Sequence, residues 1–193
     1  MLTKFRGAAK PVLHKLGAYL ARKGIKPNYV TVTGLLISLC VPISAYLQGP
    51  TLLIPILIVV SSILDLVDGA IAKAASLRSS FGSFLDSVCD RVSDACYLLA
   101  LGILGLNNTL IIITLSASFL ISYMRAKAES LGLKMEGVGL MERGDRVVIT
   151  LVISTLTVTG FKVYANYLLI ISLLLCLVTV LQRGIHVWHK LRK

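Results

Sequence analysis

Acidic side chains are scarce in this 193-residue chain, nine Asp and Glu against twenty Lys and Arg, and charged residues of either sign make up only 15% of it. So little charge beside 56% hydrophobic residues excludes an ordinary soluble domain, in which about a quarter of positions are charged. Cysteine is also sparse. Cys40, Cys89, Cys96 and Cys176 show no C-x-x-C spacing and fall within apolar runs, so they read as small packing residues rather than metal or redox ligands. His14, His186 and His189 stand in basic surroundings and take no metal role. No short apolar leader with a cleavage motif precedes the first long apolar run, which is therefore expected to stay in place.

Long apolar runs are what the chain has. Stretches of about 20 apolar residues span the hydrocarbon of a bilayer, and six lie near 29–48, 51–73, 83–105, 108–128, 145–161 and 164–183. The predicted fold is all-α: an integral membrane bundle of six transmembrane helices, residues 27–193, behind a cytoplasmic juxtamembrane segment, residues 1–26. In that segment Leu2, Phe5, Val12, Leu13, Leu16 and Leu20 alternate with Lys4, Arg6, Lys10, Lys15, Arg22 and Lys23, the composition of an amphipathic helix on the membrane interface. Pro11 is expected to bend or break it. The competing reading is a basic tail that serves orientation alone.

A net charge of +11 raises the question of nucleic acid. With six alternating spans, however, nineteen of the twenty Lys and Arg fall on the side of the N-terminus and only Lys162 falls opposite. That is the positive-inside distribution of a cell-membrane protein with both termini cytoplasmic, so the charge reports orientation and anionic lipid, not nucleic acid.

Five of the nine acids lie between Asp65 and Asp94. Helical spacing puts Asp65 and Asp68 on one face, and Asp86, Asp90 and Asp94 on one face of the next helix. Each intramembrane carboxylate costs roughly 2.5–3.5 kcal/mol, and like charges repel further. Lys73, Arg78 and Arg91 are too few to balance five carboxylates. Buried ion pairs alone therefore fall short. Hard divalent cations such as Mg²⁺ prefer oxygen ligands, and a pair about 3.5–4 Å apart is a recurrent clamp in phosphoryl chemistry.

These residues resemble the signature of the CDP-alcohol phosphatidyltransferase family, D-x2-D-G-x2-A-R-x8-G-x3-D-x3-D. Asp65, Asp68, Gly69, Ala72, Gly82, Asp86 and Asp90 keep every spacing, and Lys73 stands where the family usually has Arg. The substitution keeps the charge and loses the planar fork. The resemblance implies transfer of a phosphatidyl or archaetidyl group from a CDP-activated lipid to an alcohol, with release of CMP. It implies that Asp65, Asp68, Asp86 and Asp90 hold two Mg²⁺ ions, with Mn²⁺ as the other option, and that Asp90 takes the proton from the attacking hydroxyl. CDP-lipid contacts are implied at Asn28, Tyr29, Gly69, Ala72, Lys73, Ser79 and Gly82, in an enzyme expected to form a homodimer. Asn28 reads equally as the cap of the first span, with Pro27 ending the helix before it. Small-residue packing would by itself explain Gly69 and Ala72.

Three arginines stand at the cytoplasmic ends of different predicted helices: Arg125 behind Ser122, Arg146 in the run Glu142-Arg143-Gly144-Asp145-Arg146, and Arg183 after Gln182. They serve either positive-inside anchoring or, converging at one membrane depth, a phosphate dianion. This half of the chain resembles the branch of the family that makes phosphatidylinositol phosphate or archaetidylinositol phosphate. The resemblance implies myo-inositol 1-phosphate as acceptor, its phosphate on Ser122, Arg125, Arg146 and Arg183. Glycerol 3-phosphate is the alternative acceptor. A cation channel or transporter is the alternative class, and it would release no CMP.

Overall fold

The computed structural model describes residues 3–77 and 79–192, with side chains from Pro11 onward. Arg78, expected in a loop near the acids, lies outside the described residues, as do Leu2 and the side chains of Lys4, Phe5, Arg6 and Lys10. Among the described residues the only regular structure is α-helix: α1 Thr3–Arg22, α2 Pro27–Tyr46, α3 Leu53–Ala74, α4 Ser80–Ile103, α5 Asn108–Ser130, α6 Arg143–Val158 and α7 Lys162–Leu191. Two compact units result, Met1–Ile103 and Leu104–Lys193.

Helices α2, α3, α5 and α7 are long and apolar enough to cross a membrane, and only 28–33% of their apolar windows is buried inside the protein. The rest of that apolar surface, including Leu36, Ile43, Ile56, Ile63, Ile112 and Leu174, faces outward. Apolar surface on helices of this length and composition suits lipid, so this is a membrane protein, all-helical among the described residues. Two of the six predicted spans fall short of the same measure. Helix α4 carries Asp86, Asp90, Arg91 and Asp94, and α6, with 16 residues, reaches about 24 Å, less than a hydrocarbon core of about 30 Å.

In the first unit α2 packs against both α3 and α4, and α1 packs against α3. Hydroxyl groups lace the three inner helices. Tyr97 Oη donates to Ser61 Oγ at 2.9 Å, and Ser61 Oγ donates to the carbonyl of Gly34 at 2.8 Å. Ser93 Oγ donates to Ser38 Oγ at 3.0 Å. All four side chains are buried, where each such bond spares a polar atom the cost of lying bare in apolar surroundings.

Two local expectations change. Pro11 does not end α1, which continues on both sides of it to Arg22; a proline removes one amide from the ladder, and the turns beyond it keep their own bonds. Nor does Asn28 cap α2. Lys26 is the extended N-cap residue and Pro27 takes the first helical turn, where its missing N–H costs nothing. Pro27 thus begins a helix rather than ending one, and the Asn28 side chain is left for other work.

In the second unit α7 packs against α5 and α6 around Ala117, Ile121, Met141, Leu173 and Cys176. Asn107 caps α5, its Oδ1 accepting from the Leu110 amide at 3.1 Å. Asp145 Oδ2 accepts from the Glu142 amide at 3.1 Å to close the start of α6. The connection from α5 to α6 is strapped to α7. The Met141 amide donates to Thr179 Oγ1 and the Leu140 amide to Gln182 Oε1, each at 3.0 Å.

Candidate active site

Helices α3 and α4 bring Asp65, Asp68 and Asp86 together, one carboxylate oxygen from each lying within 4.8 Å of the others. At that separation and an effective dielectric of 20, each pair of charges repels by about 3 kcal/mol. Asp68 is 4% exposed, and its Oδ2 is buried with no hydrogen-bond partner. A buried carboxylate oxygen without a donor, flanked by two more carboxylates, forms a ligand set that fits a cation. Three hard oxygens from two helices suit Mg²⁺ or Mn²⁺.

Asp90 stands one helical turn beyond Asp86 and outside that trio. Its Oδ2 accepts from Arg91 Nη1 at 3.2 Å, and the same Nη1 donates to the Ser87 carbonyl at 2.8 Å. The predicted set of four therefore divides into three clustered carboxylates and one paired with its neighbouring cation.

A cavity of about 330 Å³ opens beside the trio, with Asp68 and Asp86 in its wall. Asn28, Gly69, Ala72, Ser79 and Gly82 line it, so five of the seven residues expected at the nucleotide meet there. Gly69 and Gly82 are glycine for different reasons. A Cβ on Gly69 would meet no protein atom within 4 Å, so it would occupy cavity space. That removes helix packing as the reason for this glycine. A Cβ on Gly82 would stand 3.0 Å from Ser79 Oγ and 3.2 Å from Asn28 Oδ1, crowding the two polar groups that face the cavity. The Gly82 amide also donates to Ser79 Oγ at 2.9 Å, which fixes that hydroxyl. The other two expected contacts, Tyr29 and Lys73, are not in the cavity wall; Tyr29 is 67% exposed.

Thr31, Leu77 and Ser83 line the cavity without having been singled out from the sequence, and Pro27, read there as a helix end, joins them. Thr31 is the most consequential. Buried, it donates its hydroxyl to the Pro27 carbonyl at 3.2 Å and stands beside the Asp68 carboxylate. Its place one turn after Asn28 on the same helix face was a readable signal. Leu77 and Ser79 reach the cavity because the chain turns back after α3. Ser76 takes a left-handed φ of 54°, and the Leu77 amide returns to the Ala72 carbonyl at 3.0 Å.

The second unit gathers the arginines. Arg183 has Arg125 and Arg146 as like-charged electrostatic neighbours and Glu129 and Glu142 as opposite ones. It is 4% exposed. Its Nη1 donates to the Ile121 carbonyl at 2.6 Å and its Nε to the Val138 carbonyl at 3.0 Å. Arg146 is buried as well. Arg125 is half-exposed and pairs with Glu129 at 2.9 Å. Ser122 donates to the Ser118 carbonyl of its own helix at 3.1 Å. Anchoring at the membrane surface would leave these guanidinium groups in solvent. Two of the three are buried.

Residues 25–181 match the CDP-alcohol phosphatidyltransferase family. The chain is 39% identical over 165 residues to archaetidylinositol phosphate synthase of Pyrococcus horikoshii, covering 85% of this chain and 87% of that protein. It is 33% identical over 201 residues to phosphatidylinositol phosphate synthase of Streptomyces avermitilis, covering 97% and 82%. The crystal structure of Mycobacterium tuberculosis phosphatidylinositol phosphate synthase with CDP-DAG bound superposes with a TM-score of 0.77 at 27% identity, over 92% of this chain and 94% of that one. The same enzyme in complex with manganese and citrate gives 0.77 at 26% identity, over 91% and 88%.

Proposed function

The chain belongs to the CDP-alcohol phosphatidyltransferase family and is an enzyme of that family; from this premise we propose that it transfers the phosphatidyl or archaetidyl group of a CDP-activated lipid to myo-inositol 1-phosphate and releases CMP. The observation that carries the reading is the buried, partnerless Asp68 Oδ2 in a trio of carboxylates, two of which line a cavity of about 330 Å³. The names of the relatives support the acceptor.

Asp65, Asp68, Asp86 and Asp90 would hold two Mg²⁺ or Mn²⁺ ions, which when bound neutralise the pyrophosphate and stabilise the CMP leaving group. The remaining chemistry falls to the chain's own groups. Asn28 and the hydroxyl of Ser79 orient the cytidine diphosphate end against Gly69 and Ala72, where the lack of bulk admits it. Tyr29 and Lys73, at the margin, meet the donor from outside the cavity. Asp90 takes the proton of the acceptor hydroxyl as its oxygen attacks the lipid phosphorus and the bond to the CMP oxygen breaks. Arg125, Arg146 and Arg183, with Ser122, receive the phosphate of the acceptor.

In the membrane, α2 to α7 make six spans with both termini and the acids on the cytoplasmic side, α1 lies along the interface, and two copies pair. CMP release from CDP-lipid by purified protein, measured with inositol 1-phosphate, free inositol and glycerol 3-phosphate, tests the assignment. Inositol 1-phosphate should react fastest. A faster reaction with glycerol 3-phosphate overturns the acceptor, and absence of CMP with every acceptor overturns the reaction.

A further inference from the structure

Gly17 lies within α1 in ordinary helical conformation, so no backbone geometry demands glycine there. Contact does. A Cβ at this buried position would stand 2.6 Å from both the carbonyl carbon and the oxygen of Ala70, and 2.9 Å from the Ile71 nitrogen. All three are backbone atoms, so no rotamer change could make room. Normal carbon contacts lie at about 3.5–4.0 Å, so any side chain at 17 would push the two helices apart by about 1 Å.

The peptide unit under Gly17 belongs to the stretch of α3 that builds the cavity. Asp68, Gly69 and Ala72 line it, and the Ala70–Ile71 peptide lies between the last two. Ile71, with 0% exposure, is closed off entirely. Gly69 and Gly17 therefore bracket one turn of α3, the first leaving open space for a ligand and the second admitting the backbone of α1.

We propose that Gly17 is a positioning residue for the nucleotide cavity: the close seat of α1 on the Ala70–Ile71 peptide sets where Asp68, Gly69 and Ala72 stand. This rests on the reading of that cavity as the CDP-lipid site. The N-terminal helix is then part of the catalytic unit's frame and more than a membrane anchor.

The test is Gly17→Ala in the full-length protein, with three readouts: CDP affinity by calorimetry, CMP release as each substrate is varied, and helicity with thermal midpoint. A misplacement of 1 Å can cost up to about a hundredfold. The expected result is a ten- to hundredfold loss of CDP affinity and of kcat/KM for CDP-lipid, with an unchanged KM for the acceptor. Equal CDP affinity in variant and native protein overturns the proposal. So does a loss shared by both substrates in step with the folded fraction, which marks a merely structural role. Should Gly17→Ala not fold, Leu13→Ala and Leu20→Ala, half-buried on the same helix face, loosen the seat without overpacking. They should weaken CDP several-fold and leave the acceptor KM alone; no change in CDP affinity refutes the idea. A native protein that binds CDP but forms no CMP would defeat the proposed reaction and leave the Gly17 comparison decisive.

Discussion

Asp68 and Asp86 each give one oxygen to a trio of hard oxygen ligands suited to a divalent cation. Asp68→Asn or Asp86→Asn should bring CMP release down to background, and EDTA should do the same to native protein; full activity in any of these would sink the metal clamp. Thr31 acts one step back, because its side chain stands beside the Asp68 carboxylate and supports it from behind. Outer partners of this kind are typically worth 10–100-fold in metal affinity. Thr31→Val should accordingly weaken Mn²⁺ binding, followed by titration, by about that factor, and Thr31→Ser should restore it. Equal Mn²⁺ affinity in native and Val proteins would limit Thr31 to helix support. Asp90, outside the trio and paired with Arg91, can be separated from its neighbours by kinetics. Asp90→Asn should lower kcat by about 10²–10⁴-fold while CDP-lipid binding at saturating metal survives. An equal loss of binding would make Asp90 chiefly a metal ligand.

The connection between α5 and α6 depends on how α7 receives it. Gly139 has a φ of 111°, and a Cβ there would lie 2.5 Å from Thr179 Cγ2, so Gly139→Ala combines backbone strain with collision. Strain of this kind costs about 1–3 kcal/mol, and the variant should show a lowered thermal midpoint; an unchanged one would mean the strap is not under this constraint. Arg146→Ala and Arg183→Ala should each raise the KM for inositol phosphate by roughly 10- to 100-fold, since a charge-assisted hydrogen bond contributes about 1.5–3 kcal/mol. Removing Arg183 strips the Ile121 and Val138 carbonyls of their donor, so that variant should also melt earlier. If either variant instead loses affinity for CDP-lipid, the arginines serve the donor.

For the chain in its bilayer, charge placement decides orientation. With six spans, Lys162 is the one Lys or Arg predicted on the outer side, and the basic end of α7 lies inside. A cysteine introduced at Lys162 should react with a membrane-impermeant thiol reagent applied to intact cells, while one introduced at His186 should react only after permeabilisation. The reverse pattern would invert the topology, and labelling of both from outside would break the six-span count. Helices α4 and α6, one charged and one short, are the two of the six predicted spans that composition alone supports least. Inside the protein Asp86 of α4 joins Asp65 and Asp68 of α3, a grouping that the composition of one helix does not reveal.

Membrane residence was legible in the chain because burial in lipid depends on composition over about 20 residues. The pairing of carboxylates was legible because helical spacing places i, i+3 and i, i+4 residues on one face whatever lies opposite. The signature from Asp65 to Asp90 carried the family, and Gly69, Ala72 and Gly82 reach the cavity because they lie close in sequence to the acids of α3 and α4. Other features depended on approach between segments distant in sequence, which no local pattern encodes. Tertiary packing set three carboxylates apart from Asp90 and drew Thr31 to Asp68. It turned Asn28 from a cap into a cavity wall. It also gave three glycines different reasons: open space at Gly69, polar neighbours at Gly82 and another helix's backbone at Gly17.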